Sequence, residues 1–265
     1  MLPLVLHHGF GGMPGLKVGP VVLDYFRGID VALAASGRDV WVTRVHPFAG
    51  VPTRAWQLKT QILSRLRQIQ QPDMPVIIVA HSMGGLDARY MIRHLDMAGR
   101  VAALLTVTTP HRGSPMADWV VKHFDRRLRF VAGLKNWVDL RAIADLTTDQ
   151  CARFNDVVPD VPGVQYFSTS AARPWHRVPA FAYPAHRIVS YAEGENDGLV
   201  SVQSSMWGRR LGIWPADHWH TLNHKMVLEL RKPTGDIIPY YERAVAEVDR
   251  ACAIISRSSH SDEPA

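Results

Sequence analysis

The hexapeptide Ala80-His81-Ser82-Met83-Gly84-Gly85 constrains this chain more than any other feature. Residues 75–79 (Pro-Val-Ile-Ile-Val) precede it, a β-branched run that reads as a buried parallel strand. Residues 86–95 follow without a breaker and read as a helix. A serine between such a strand and such a helix sits on a sharp turn, the context of a G-x-S-x-G elbow, here with Ala80 in the first glycine position. The small residues have a steric reason. Bulky neighbours would clash where strand and helix cross, so Ala80 and Gly84 flank a strained Ser82 whose hydroxyl is exposed. The same turn aims the amide of Met83 at a helix N-terminus, where it can stabilise an oxyanion.

The first half of the chain alternates strands and helices around this turn. Strands are expected at residues 2–6, 39–45 and 101–108, and an amphipathic helix at 54–70 with Leu58, Ile62, Leu66 and Ile69 on one stripe. Such alternation implies an α/β fold, a mostly parallel sheet flanked by helices. Past Pro110 the pattern changes. Residues 113–159 read as helices only, with Met116, Val120, Phe124 and Leu128 on one stripe and a cap at Thr148-Asp149 for a helix through Phe154. Residues 163–168 and 186–191 are expected to resume the sheet, and 237–255 to close the fold as a helix. The expected organisation is a single domain over 1–265, with a helical lid or cap insertion at about 113–160 and a frayed tail at 256–265.

Bulk properties narrow the function classes. With 265 residues, 47% hydrophobic and 20% charged, the chain is long enough for one α/β domain and has a soluble globular composition. No apolar run reaches the length of a membrane span. The net charge of +6 is scattered; the densest basic stretch, residues 122–129, reads as a solvated helix face and not as a nucleic-acid footprint. Cys151 and Cys252 allow at most one disulfide and no zinc motif, and their spacing leaves open whether they pair. No secretory signal is visible at the start, so a cytoplasmic location is expected, or a secreted one if a leader has been removed.

A serine hydroxyl is a poor nucleophile near neutral pH and needs a histidine base that an acid orients. Asp197, in the turn-rich Asn196-Asp197-Gly198 loop, is the acid candidate, with Glu193 and Glu195 as substitutes. His218, His220 and His224 crowd together downstream. His224, just ahead of an apolar stretch that can begin a helix, is the chosen base, and His220 is the alternative. His8-Gly9-Phe10-Gly11-Gly12 follows the first strand, so the amide of Phe10 is the candidate second oxyanion donor beside that of Met83.

These motifs, in this order, resemble those of the bacterial triacylglycerol lipases of the α/β-hydrolase superfamily. The resemblance rests on His8-Gly9-Phe10, on residues 80–85 with Arg89 and Tyr90, and on residues 109–114, 146–155 and 164–168. Asp197-Gly198-Leu199-Val200 and Asn223-His224 complete it. It implies a Ser82–Asp197–His224 triad and an oxyanion hole from Phe10 and Met83. The implied reaction is hydrolysis of acylglycerols or related lipid esters, possible substrates at an oil–water interface. A short-chain carboxylesterase, a polyester depolymerase or an acyltransferase of the same fold is the alternative. No cofactor is expected. Nor is a metal: the secreted members of the family hold calcium partly through an aspartate two positions after the catalytic histidine, where this chain has Met226. Neither a nucleic-acid partner nor an oligomeric state follows from the sequence.

Overall fold

A computed structural model describes residues 1–12, 16–18, 21–127, 140–224 and 235–261. Its centre is a six-stranded parallel sheet in the order β4-β1-β5-β6-β7-β8. The strands are β1 (Leu4–His7), β4 (Val40–Val42), β5 (Val76–His81), β6 (Val101–Val107), β7 (Gln165–Ala171) and β8 (Arg209–Trp214). A separate antiparallel pair, β2 (Leu16–Val18) and β3 (Val21–Leu23), follows β1.

Alternation along β5 builds the two layers. Ile77 and Val79 face one side, where α1 (Ile29–Ala34) and α9 (Ile238–Ser261) cover them with Ile29, Leu33, Tyr241 and Val248. Val76, Ile78 and Ala80 face the other, against Leu58, Ile62 and Leu66 of α2 (Val51–Gln68) and Met91 and Ile92 of α3 (Gly84–His94). Both faces are buried, which is why β1 and β5 are apolar on both faces up to their terminal histidines, His7 and His81.

The expected insertion is helical where it is described: α4 (Pro115–Arg127), α5 (Leu140–Ala144) and α6 (Thr148–Val157). Thr147, rather than Thr148, caps α6, its hydroxyl accepting from the Gln150 amide. Leu128 of the predicted stripe lies outside the described residues. Ala142 of α5 and Cys151 of α6 pack on Met83 and Leu86, so these helices brace the elbow.

Two expectations are corrected. Residues 186–191 are not a strand but part of α7 (Tyr183–Glu193). Pro184 pre-sets the first turn, Ala185, His186 and Val189 bury a helical stripe, and Gly194, at φ +85°, stops the chain. The sixth strand is instead β8, an edge strand whose exposed arginines and glycine do not read as buried sheet. α9 also continues beyond the expected 255, to Ser261. Cys151 and Cys252 are both free thiols. Among the described residues no helix is long and apolar enough to cross a membrane.

Candidate active site

Ser82 leaves the end of β5 with φ +54°, in the left-handed region that is costly for a side-chain-bearing residue. Three contacts hold it there. Its N–H donates to the Val107 carbonyl (2.9 Å), and its own carbonyl accepts from the Gly85 amide (3.1 Å) and the Thr109 hydroxyl (2.7 Å). A Cβ on Gly85 would stand 2.2 Å from Thr109 Oγ1, so only glycine lets the elbow pack this closely.

The Ser82 hydroxyl lies 3.1 Å from Nε2 of His218, and Nδ1 of His218 lies 2.7 Å from Oδ2 of Asp197. A carboxylate only accepts, so Nδ1 carries the imidazole proton and the Nε2 lone pair receives the serine O–H. The other oxygen of Asp197 accepts from the amides of Leu199 (2.9 Å) and Val200 (2.8 Å), which fixes the carboxylate. The loop is closed by a bond from the His218 amide to the Asp197 carbonyl (2.9 Å). Asp197 is wholly buried and Ser82 is 8% exposed.

The histidine chosen from sequence is therefore corrected. His224 points away from Ser82: its Nε2 lies 3.1 Å from the Tyr25 carbonyl. His220, the alternative, has Nδ1 accepting from Arg173 at 2.8 Å. Sites on a parallel sheet form at the carboxyl ends of the strands. His218 lies four residues beyond Trp214, the end of β8, and with β8 unread in the sequence it lost that context.

Phe10 and Met83, the expected oxyanion donors, lie on segments next to the serine. β1 pairs with β5, with His7 opposite Ala80, so the segment after β1 runs alongside the elbow. A Cβ on Gly9 would lie 2.7 Å from Ser82 Cβ, and the next backbone amide is that of Phe10. Met83 is the cap residue of α3.

A model of the PGAP1-like alpha/beta domain matches residues 57–178. Triacylglycerol lipase 2 of Saccharomyces cerevisiae is 34% identical over 214 residues, covering 78% of this chain and 64% of the yeast protein. A triacylglycerol lipase of Vibrio cholerae is 27% identical over 241 residues, covering 78% of this chain and 74% of its own length. Over 78% of its length the chain is thus similar to triacylglycerol lipases. The crystal structure of Staphylococcus hyicus lipase has the same fold, with a TM-score of 0.72 at 15% identity over 94% of this chain and 96% of that one. The chain thus spans just under two-thirds of the yeast relative.

Around this elbow lie buried charges that the sequence reading passed over. Arg54 donates to Asp87 Oδ2 (2.8 Å), to the His8 carbonyl (2.6 Å) and to the His46 carbonyl (2.9 Å), tying α3 to the segment before Phe10. His7 Nε2 shares the same carboxylate oxygen at 3.0 Å. A signal existed: Arg54 stands four residues before Leu58, at the head of the apolar stripe of α2, where a charge needs a partner. Beside the base, Arg173 donates to Asp217 (2.7 Å), and Asp217 caps the amides of Trp219 (3.0 Å) and His220 (2.9 Å). Burial pushes the Asp217 carboxyl up, against the pull of these donors. Met226, on which the calcium expectation rests, lies outside the described residues. Among those described, no cluster of three or more His, Cys, Asp or Glu side chains could hold a metal ion.

Proposed function

We propose that this chain is a serine carboxylic-ester hydrolase that acts as a lipase on acylglycerols or related lipid esters. The observation that carries the reading is the continuous Asp197–His218–Ser82 hydrogen-bonded line. His218 takes the serine proton as Oγ attacks the ester carbonyl, while Asp197 holds the imidazolium in place. The oxyanion of the tetrahedral intermediate is received by the amides of Met83 and Phe10. His218 passes its proton to the departing alcohol and leaves the acyl group on Ser82. Water, deprotonated by His218, then releases the acid and restores the serine.

The surroundings favour an apolar substrate. Trp219 packs edge-on to His218 with ring centroids 6.0 Å apart, and Phe181 packs on Trp219 at 4.7 Å while remaining 53% exposed. On the inserted segment, Trp119 is exposed and Met116 and Val120 are half-buried on α4. Aromatic and aliphatic surface beside a polar catalytic line suits an acyl chain better than a small polar ester. The inserted helices form the cap of the site.

A chain-length series of p-nitrophenyl esters together with emulsified triacylglycerol tests this, with Ser82→Ala as control. Hydrolysis of the emulsion and of long-chain esters, both lost in Ser82→Ala, is expected. Turnover of short esters alone would replace the lipase reading with that of a short-chain carboxylesterase. Inertness to every ester would overturn the hydrolase reading itself.

A further inference from the structure

The catalytic line leaves His81, the residue directly before Ser82, without a task. Its ring is buried and lies 4.7 Å, centroid to centroid, from that of His218. Nδ1 is 2.9 Å from Tyr25 Oη, and Nε2 is 3.0 Å from Thr221 Oγ1. Each hydroxyl makes a second bond to the backbone of the machinery. Thr221 Oγ1 donates to the His218 carbonyl at 2.7 Å, and Tyr25 Oη accepts from the Gly9 amide at 3.0 Å.

The direction of every bond in this series follows from donor counting. A carbonyl only accepts, so the single proton of Thr221 goes to His218 O. Thr221 Oγ1 must then accept from His81, which places a proton on Nε2. With Nδ1 unprotonated, Tyr25 gives its proton to Nδ1 and its oxygen receives the Gly9 N–H. A proton added at Nδ1 would reverse that bond and leave the tyrosine hydroxyl hydrogen with no acceptor in the series. We infer that Gly9, Tyr25, His81, Thr221 and the His218 carbonyl form a one-way hydrogen-bond relay. In it His81 is held as the neutral Nε2–H tautomer, and Tyr25, His81 and Thr221 are positioning residues that keep the oxyanion segment and the base in register with the nucleophile.

The inference rests on the hydrolase reading above, and the electrostatics agree with it. Burial, with the neighbouring His218 second, pushes the His81 imidazole well below its ordinary range. The His218 backbone, as a hydrogen-bond partner of the ring, pulls the other way but does not win; His224 and His8 push downward when charged, and Tyr25 lies on the far side of Nδ1. His218 becomes a cation during turnover, so a neighbour fixed as neutral adds no repulsion at that moment.

Two measurements test the relay. Long-range proton–nitrogen correlation of the histidine rings, assigned by the loss of one ring in His81→Gln, reports the tautomer directly in the unmodified protein. His81 should stay neutral and Nε2–H between about pH 5 and 8, while an ordinary imidazole titrates there. An Nδ1–H tautomer, or titration of His81 in that range, overturns the proposal. This holds whether or not Ser82 reacts with a fluorophosphonate, which tests the hydrolase reading separately. In kinetics, Thr221→Val and Tyr25→Phe should lower kcat by about tenfold to a hundredfold with KM little changed, as a slightly misplaced base would. Thr221→Ser, which keeps the hydroxyl, should restore most of it. If Ser and Val at position 221 lose activity equally, the side chain acts by packing and the positioning role falls.

Discussion

Acid should unfold this protein from within, through four histidines. His7, His8, His81 and His111 are at most 1% exposed, and burial lowers the pKa of each, that of His8 to about 3. The unfolded chain has ordinary imidazoles near pH 6.5, so below that pH it binds protons that the folded chain refuses. Stability therefore falls as pH drops below about 6.5, and each group adds a slope that tends to about 1.4 kcal/mol per pH unit. Four groups together approach about 5 kcal/mol per unit, and the loss continues until the folded groups titrate. A total stability of about 5–15 kcal/mol would be consumed within roughly one to three pH units. Urea titrations read by tryptophan fluorescence, from about pH 8 down to pH 5, would measure the slope. In His111→Gln one of the four groups is gone, and the slope should be about a quarter shallower even if overall stability is lower. A midpoint that stays level down to pH 5 would mean that these imidazoles are protonated in the folded state, and the reasoning fails.

Arg54→Leu removes three hydrogen bonds, two of them fully buried, and leaves the Asp87 carboxylate buried with His7 as its remaining partner. A loss of about 3–5 kcal/mol is expected in thermal or urea unfolding, partly recovered when Asp87→Asn is added to remove the stranded charge. Gly85→Ala forces a methyl group against Thr109, whose hydroxyl holds the Ser82 carbonyl. Fluorophosphonate labelling should fall sharply, with a stability loss of about 1–3 kcal/mol. EDTA should leave activity and melting temperature unchanged, because Met226 stands at the position where the resemblance implies a calcium-ligating carboxylate, and a thioether does not replace one. A drop reversed by added calcium would contradict this.

The half of the fold that carries the nucleophile was legible because local and tertiary signals agree there. Residues 75–79 are apolar on both faces, and the elbow needs small residues in a fixed order. The base was not legible for a reason that lies in the sheet. β8 is an edge strand with the sequence Arg-Arg-Leu-Gly-Ile-Trp, largely exposed, and its pattern is that of a solvated edge rather than of a core strand. Without it, His218 looked like part of a loop, and His224 gained weight from the apolar residues behind it. A similar local ambiguity misassigned residues 186–191, where Ile-Val suggested a strand while Pro184 and Gly194 marked the two ends of α7. Asp197 survived that error because its loop is held by its own turn bonds, independent of whether a strand or a helix precedes it.

The most direct test of the account compares two histidines by their effect on the same serine. The rate of fluorophosphonate labelling of Ser82 should be measured in the parent, in His218→Ala and in His224→Ala, with folding checked by circular dichroism. His218→Ala should slow labelling by about a thousandfold or more, because the base and nucleophile act as a unit. His224→Ala, which removes one bond to the Tyr25 carbonyl, should stay within about tenfold of the parent. A crippled His224→Ala beside a near-normal His218→Ala would contradict the assignment of the base, and with it the Asp197–His218–Ser82 line.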